Sequence, residues 1–445
     1  MEYQAVILAG GVGKRIAPLG KRKPKSMFEI MGKPLIQYVV ENLSAAGVSD
    51  LIIVTGPNQG QIDEYFGDGS AFGVRIQYAT QTEPLGQANA ILAAETFVTK
   101  PFFVLNANDI FETQLLRDVM TRANDNQSDL ILVGRAVAEP WRFGVMRFDD
   151  EDRLIGVIEK PVRGQEPSNV AVVGVYFFSP AIFDCIRATS LDTDDQLERA
   201  YQILIDRGRA VHFEYSGIFE SLKFSWNFLP ISDQLLAQNI ERQFIDSTAR
   251  ISDHAIIEGN VYIAENVRVF ENAVIRGPAY IGPGTVIGNH TLLWGGCSIG
   301  HNCVVGGGSE IKHVVFGRNV WTHRNYVGDS IVSDNCSFGA GTITANYRFD
   351  EEDVQVRVGD QRISTGTDKL GVIMAEGCRT GSNSVLMPGV KVGPNSIVGP
   401  GVTLLHDLPE NMVALLSREN YKVLENKLDL TGKTRDEQMK KIEKA

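Results

Sequence analysis

The sequence predicts an α/β chain in two parts, a covered sheet domain followed by a solenoid of stacked β-coils. Two observations carry this prediction. Across the first half, short apolar strands alternate with helix-like segments. From residue 251 onward, an aliphatic residue returns at every sixth position.

In the first half, "AVILA", "DLIIVTG", "RIQYAT", "FFVLNAND" and "DLILVGR" read as strands. "LIQYVVENLSAAG" and "QANAILAAETF" read as helices. Short apolar strands alternating with helices imply a largely parallel sheet covered on both faces. Ligands of such sheets bind beyond the carboxyl ends of the strands. Gly10, Gly11 and Gly13 fall there, at the end of the first strand. This domain is expected to span 1–230.

"ISDQLLAQNIERQFIDS" (231–247) reads as a connecting helix inside a linker at 231–250. The six-residue register then runs Ile251, Ile257, Ile263, Val269, Ile275, Ile281, Ile287, Leu293, Ile299, Val305, Ile311. Three such repeats close one triangular coil, with the aliphatic residue pointing inward and coils stacking along one axis. The frame slips by one residue after Ile311 and runs on to Phe338. It breaks at a charged insertion, 347–369, and returns with Met374, Leu386, Val392, Val398 and Leu404. Insertions in solenoids form loops on one face, often a binding face. The coils are expected over 251–410, followed by a charged, helical tail at 411–445.

Composition narrows the function. The chain has 445 residues, 43% hydrophobic and 22% charged, enough for two ordinary cores. A net charge of −11 argues against general nucleic-acid or membrane-surface binding, so an anionic ligand must meet local cations. Cys185, Cys297, Cys303, Cys336 and Cys378 form no CxxC pair, which suits a reducing, cytoplasmic setting. No secretory leader or membrane-spanning run is read.

The stretch "LAGGVGKRIAPLGKRKPKS" sets glycines beside cations. A glycine-rich turn after a strand exposes backbone N–H groups to a phosphate. Arg15 and Lys25 supply compensating charge, Arg15 as a planar fork and Lys25 as a point charge.

"LAGGVGKR" followed by "KPKSMFEIMGKP" resembles the signature of sugar-phosphate nucleotidylyltransferases, and the likeness extends along the whole first half. The resemblance implies a Rossmann-like nucleotidyltransferase domain that binds UTP or dTTP and a sugar-1-phosphate. The sugar would be N-acetylglucosamine-1-phosphate or glucose-1-phosphate. It assigns Leu8, Gly10, Gly11, Gly13, Gln81 and Gly86 to the nucleotide. Gly144, Glu159, Lys160 and Asn169 fall to the sugar phosphate, with Arg15 and Lys25 catalytic. It implies Mg²⁺ held by Asp109 and Asn227. Gln81 favours uridine or thymidine, since relatives using these carry Gln here, and an amide can donate and accept on a pyrimidine edge. Two positions depart from the pattern. Lys14 replaces a small hydroxyl residue, and Asn108 replaces the glycine before the metal aspartate.

The hexapeptide pattern resembles the left-handed parallel β-helix of hexapeptide acyltransferases, which implies left-handed coils and a homotrimer. "THRNYVGDSIVSDNCSFGAGTITANYRFD" (322–350) resembles the acetyltransferase site of the bifunctional enzymes that make UDP-N-acetylglucosamine, their archaeal-type relatives especially. The resemblance casts His323 as general base, Tyr326 and Asn346 as acetyl-acceptor contacts, and acetyl-CoA as a co-substrate. Departures are heavier here. Ser337 replaces an Asn of the bacterial enzymes. Glu352 and Gln355 stand where archaeal relatives have lysines, and Lys369 is the nearest remaining lysine. The leading reading is a sugar-1-phosphate nucleotidylyltransferase. The alternatives are a bifunctional enzyme that also acetylates glucosamine-1-phosphate, and a non-catalytic regulatory subunit.

Overall fold

The computed structural model describes residues 2–11, 13–57, 60–126, 128–189 and 195–417. The expected helical tail lies largely outside these residues.

A nine-stranded sheet organises the first half. Gln4–Leu8 sits between Phe102–Asn106 and Asp50–Thr55, parallel to both, and Arg75–Thr80 follows at one side. Alternate residues of each strand enter opposite layers. Val6, Leu8, Ile52 and Val54 face one, and Ala5, Ile7 and Ile53 the other. The sheet is mixed rather than largely parallel. Val170–Phe178 runs antiparallel to Phe102–Asn106 and to Leu130–Ala136. It is reached through a hairpin, Gly144–Phe148 with Leu154–Glu159, instead of a helical crossover. Without a crossover the chain returns in the opposite sense.

The connecting helix covers Phe228–Asn239, earlier than the expected 231–247. Pro230 does not bar it, because a first-turn proline gives up an N–H that has no helical partner. Phe244–Ile245 is already a strand, paired with Tyr262 and Ile263.

The second half is a parallel β-helix. Val269 pairs with Ile287 and Ile287 with Val305, each one coil later. The six-residue aliphatic positions from Ile263 to Ile311 form one core. Corners are turned largely by asparagines at positive φ, among them Asn266, Asn302 and Asn319. Asn and Asp reach this backbone region more readily than other side chains. Pairing continues to Val413–Ala414, past the expected limit of 410.

The two halves share a core. Ile16, Leu19, Phe28 and Trp226 meet Val315, Ile331 and Ile373, which point outward from the coils. The charged insertion is a hairpin, Gln355–Val358 with Gln361–Ser364. Val354 and Val356 of this segment are 1% exposed in the same shared core. The insertion is therefore also a wedge between the halves.

Candidate functional site

The signature loop leaves the first strand after Leu8. Gly13 turns it with φ 67°, a conformation that favours glycine. Ile16 and Leu19 then anchor it in the shared core. Its cations divide into two sets. Lys21 pairs with Glu410 at 2.9 Å, Arg22 with Glu376 at 3.5 Å and Lys23 with Asp334 at 3.3 Å, all on the solenoid. These three clamp the loop from behind. Lys25 has no ion-pair partner among the described residues, and a side chain at Gly11 would begin 3.5 Å from its Cε. Arg15 lies 5.9 Å from the centre of the Phe224 ring, which itself stacks on Trp226 at 4.5 Å.

Asp109 is 1% exposed. It accepts from Ser221 Oγ at 2.6 Å and from Asn106 Nδ2 at 2.9 Å. Burial pushes its pKa up, against those hydrogen bonds and the Lys25 charge. Burial likewise lowers the Lys25 pKa, and Asp109 opposes the shift. Each group thus sits in a place that penalises its charge until further charges arrive. Asn108 is buried beside Asp109, its Nδ2 donating to the Leu222 carbonyl at 3.2 Å and lying 3.5 Å from Asp109 Oδ1. Asn227, expected as the second metal ligand, spends its side-chain oxygen on the Phe224 and Lys223 N–H groups, at 2.8 and 3.2 Å.

Gln81 lies across from the loop. Its Nε2 donates to the Gly86 carbonyl at 3.0 Å and to Asn89 Oδ1 at 2.9 Å. Its Oε1 faces the loop, 3.0 Å from where a Cβ on Gly10 would stand. Among the residues expected at the sugar phosphate, Gly144 pairs with Glu159 in the hairpin, and the Lys160 N–H donates to the Phe143 carbonyl at 3.0 Å. Glu159 and Lys160 form an exposed pair at 3.2 Å. Asn169 is exposed, its carbonyl accepting from Val137 N–H at 2.9 Å.

Three residues of this cleft escaped the sequence reading. Gly174 lies beneath Asp109, Asn89 orients Gln81, and Lys223 rests its ammonium 4.6 Å from the Phe143 ring centre. Lys223 is within electrostatic reach of Asp109, Arg15, Glu159 and Lys160. The unpaired cation in "KFSWN" was the available signal for Lys223. Gly174 and Asn89 carried none.

On the solenoid, the exposed His323 donates its backbone N–H to Asn325 Oδ1 at 2.7 Å, and its ring makes no hydrogen bond with a described residue. Tyr326 Oη donates to Asn346 Oδ1 at 3.4 Å, so these two expected contacts meet. Lys369 bridges to Tyr347, its ammonium 5.9 Å from that ring, and Leu370 N–H donates to the Asn346 carbonyl at 3.0 Å. Among the described residues no helix is long and apolar enough to cross a membrane.

Residues 4–219 match the nucleotidyl transferase family, and 371–406 match the bacterial transferase hexapeptide model. The chain is 37% identical over 392 residues to the bifunctional protein GlmU of Methanococcus maripaludis, covering 86% of this chain and 90% of that one. It is 30% identical to a bifunctional sugar-1-phosphate nucleotidylyltransferase/acetyltransferase of Sulfurisphaera tokodaii, covering 86% and 93%. A glucose-1-phosphate thymidylyltransferase of Streptomyces antibioticus is 32% identical over 266 residues, 59% of this chain and 73% of that one.

Proposed function

The chain belongs to the family of bifunctional GlmU-type sugar-1-phosphate nucleotidylyltransferase/acetyltransferases, and from that premise we propose how its two sites work. It is a sugar-1-phosphate nucleotidylyltransferase. A phosphate oxygen of the sugar-1-phosphate attacks the α-phosphorus of a nucleoside triphosphate, and pyrophosphate leaves. The protein's work is to align the reactants and to neutralise the oxygens that gain charge.

The observation that carries this reading is the split of the signature cations. Lys21, Arg22 and Lys23 are spent on the solenoid, which leaves Lys14, Arg15 and Lys25 for the triphosphate. Arg15 grips phosphate oxygens and Lys25 meets the α-phosphate, while Lys160 and Lys223 receive the sugar phosphate. Gln81 selects the base. Both of its N–H donors are engaged, so its free oxygen accepts from an imide N–H. Uracil and thymine present such a donor at N3, which supports UTP or dTTP.

A hard cation fits Asp109, whose buried charge lacks a full counter-charge. No group of three His, Cys, Asp or Glu that could hold a metal occurs among the described residues. Mg²⁺ would therefore rest on Asp109 and substrate oxygens and would supply charge neutralisation there, whereas the Asn227 side-chain oxygen already accepts from two backbone N–H groups. Lys25→Ala should lower turnover by roughly 10²–10³ with the fold intact. Turnover within threefold of the parent would remove Lys25 from the site.

The second reading is acetyl transfer from acetyl-CoA to glucosamine-1-phosphate. The meeting of Tyr326 with Asn346 supports it. So does Lys369, over the Tyr347 ring and next to Leu370, whose N–H bonds to the Asn346 backbone, a cation for the sugar phosphate where Glu352 and Gln355 offer none. His323 takes the amine proton. Release of thiol from acetyl-CoA, lost in His323→Ala, tests this. A homotrimer packed through the coils fits the exposed Trp321, Ile343 and Ile397 on their outer faces. Sedimentation as a monomer at micromolar concentration would exclude it.

A further inference from the structure

We propose that Asp329 and His313 are positioning residues for the acetyl acceptor, which fix the Asn346 carbonyl oxygen toward the incoming amine. The inference rests on the acetyl-transfer reading.

A single run of hydrogen bonds carries it. Asp329 is 3% exposed, and its Oδ2 accepts from Asn346 Nδ2. Its Oδ1 meets His313 Nδ1 at 2.7 Å. His313 Nε2 meets Asp233 Oδ2 at 3.1 Å, on the helix Phe228–Asn239 of the first domain. A carboxylate only accepts, so both ring nitrogens carry protons and His313 is an imidazolium. The imidazolium thus forms an ion pair with the buried Asp329 at 2.7 Å.

The same logic fixes the amide. The edge of Asn346 that faces Asp329 must be its NH₂, so its oxygen faces Tyr326. An amide oxygen held there accepts from an amine N–H and leaves the nitrogen lone pair free to attack. In that step the nitrogen–carbon bond forms and the carbon–sulfur bond breaks. The amine proton passes to His323 and from it to the departing sulfur, so coenzyme A leaves as the thiol. Gly328 keeps the space clear, since a Cβ there would stand 2.8 Å from both Asn346 Nδ2 and Tyr326 Oη.

The backbone marks the same two positions. His313 and Asp329 have φ 50° and 45°, and they stack where adjacent strands bend. Most other left-handed residues of the coils are Asn or Gly. Non-glycine residues held in this region cost free energy, and such positions cluster at functional sites.

The test is made on the full chain. Asp329→Asn can present an NH₂ to Asn346, and the Asn346 amide then turns over. The KM for glucosamine-1-phosphate should rise roughly tenfold or more, with the KM for acetyl-CoA within about twofold. Nucleotidylyl transfer should stay within about twofold. His313→Gln keeps one donor toward Asp329 and should give a smaller rise. The double variant should be no worse than Asp329→Asn, because the pair acts as a unit. An unchanged acceptor KM overturns the proposal, as does an equal fall in every activity, which marks a general structural role. If the parent releases no coenzyme A, the acetyl-transfer reading has failed by itself. Calorimetric binding of glucosamine-1-phosphate then decides the positioning claim. Weaker binding by Asp329→Asn supports it, and equal binding or none by the parent overturns it.

Discussion

The Asp109 carboxylate lies against the backbone of Gly174. A methyl group on Gly174 would stand 2.5 Å from Asp109 Oδ2 and 2.7 Å from Asn106 Nδ2. The proposed metal ligand is therefore seated by a glycine on the neighbouring antiparallel strand. Gly174→Ala should displace Asp109 and lower nucleotidylyl transfer by roughly tenfold or more, with a raised Mg²⁺ requirement. Equal metal dependence in both proteins would break the link between the two residues.

In the proposed site Gln81 would present an acceptor to the base, and cytosine also presents an acceptor at N3. CTP should therefore be used at least about 10²-fold less efficiently than UTP. Asn89→Ala frees one Gln81 N–H and lets the amide turn, so it should narrow that ratio. A ratio unchanged by Asn89→Ala would take Gln81 out of base selection.

Lys223 should act on the sugar phosphate. Its ammonium rests on the face of Phe143, next to the paired Gly144 and Glu159. Lys223→Met should raise the KM for sugar-1-phosphate roughly tenfold, and the KM for the triphosphate less. Equal effects on both would place Lys223 on a common phosphate instead.

His313 gives the junction of the domains a pH dependence. Burial by itself would lower its pKa, but the hydrogen bonds to Asp233 and Asp329 carry it from 6.5 up to about 9. A cation with a raised folded pKa stabilises fully below pH 6.5, and that contribution is lost as pH rises through about 9. The gap in Tm between the parent and His313→Gln, about 2 °C at pH 6, should close by pH 10. A gap that stays constant across this range would mean that folding does not raise the His313 pKa.

Much of this architecture was legible because its signals are local. The six-residue aliphatic register reports the inside of each coil directly, and the positions from Ile263 to Ile311 all lie in the core. The signature loop likewise declared its glycines within a few residues of the strand. What the sequence hid is long-range. The basic run Lys21–Lys23 looks like one phosphate-binding patch until Asp334, Glu376 and Glu410 are brought beside it. The insertion looked like a charged loop, yet its Val354 and Val356 fill the junction between the domains. Gly174 reads as an ordinary strand residue, because only the fold shows what rests on it. The helix Phe228–Asn239 starts three residues before the expected 231, and Pro230 in its first turn is compatible with a helix.

Pyrophosphate release by the purified parent tests the central claim most directly. UTP, dTTP, CTP and GTP are each offered with glucose-1-phosphate and with N-acetylglucosamine-1-phosphate, with and without Mg²⁺. The account predicts Mg²⁺-dependent release with UTP or dTTP and at least one of the sugar phosphates, little with CTP, and almost none from Lys25→Ala. Folded parent that releases no pyrophosphate from any pair, or releases it equally after Lys25→Ala, would contradict it.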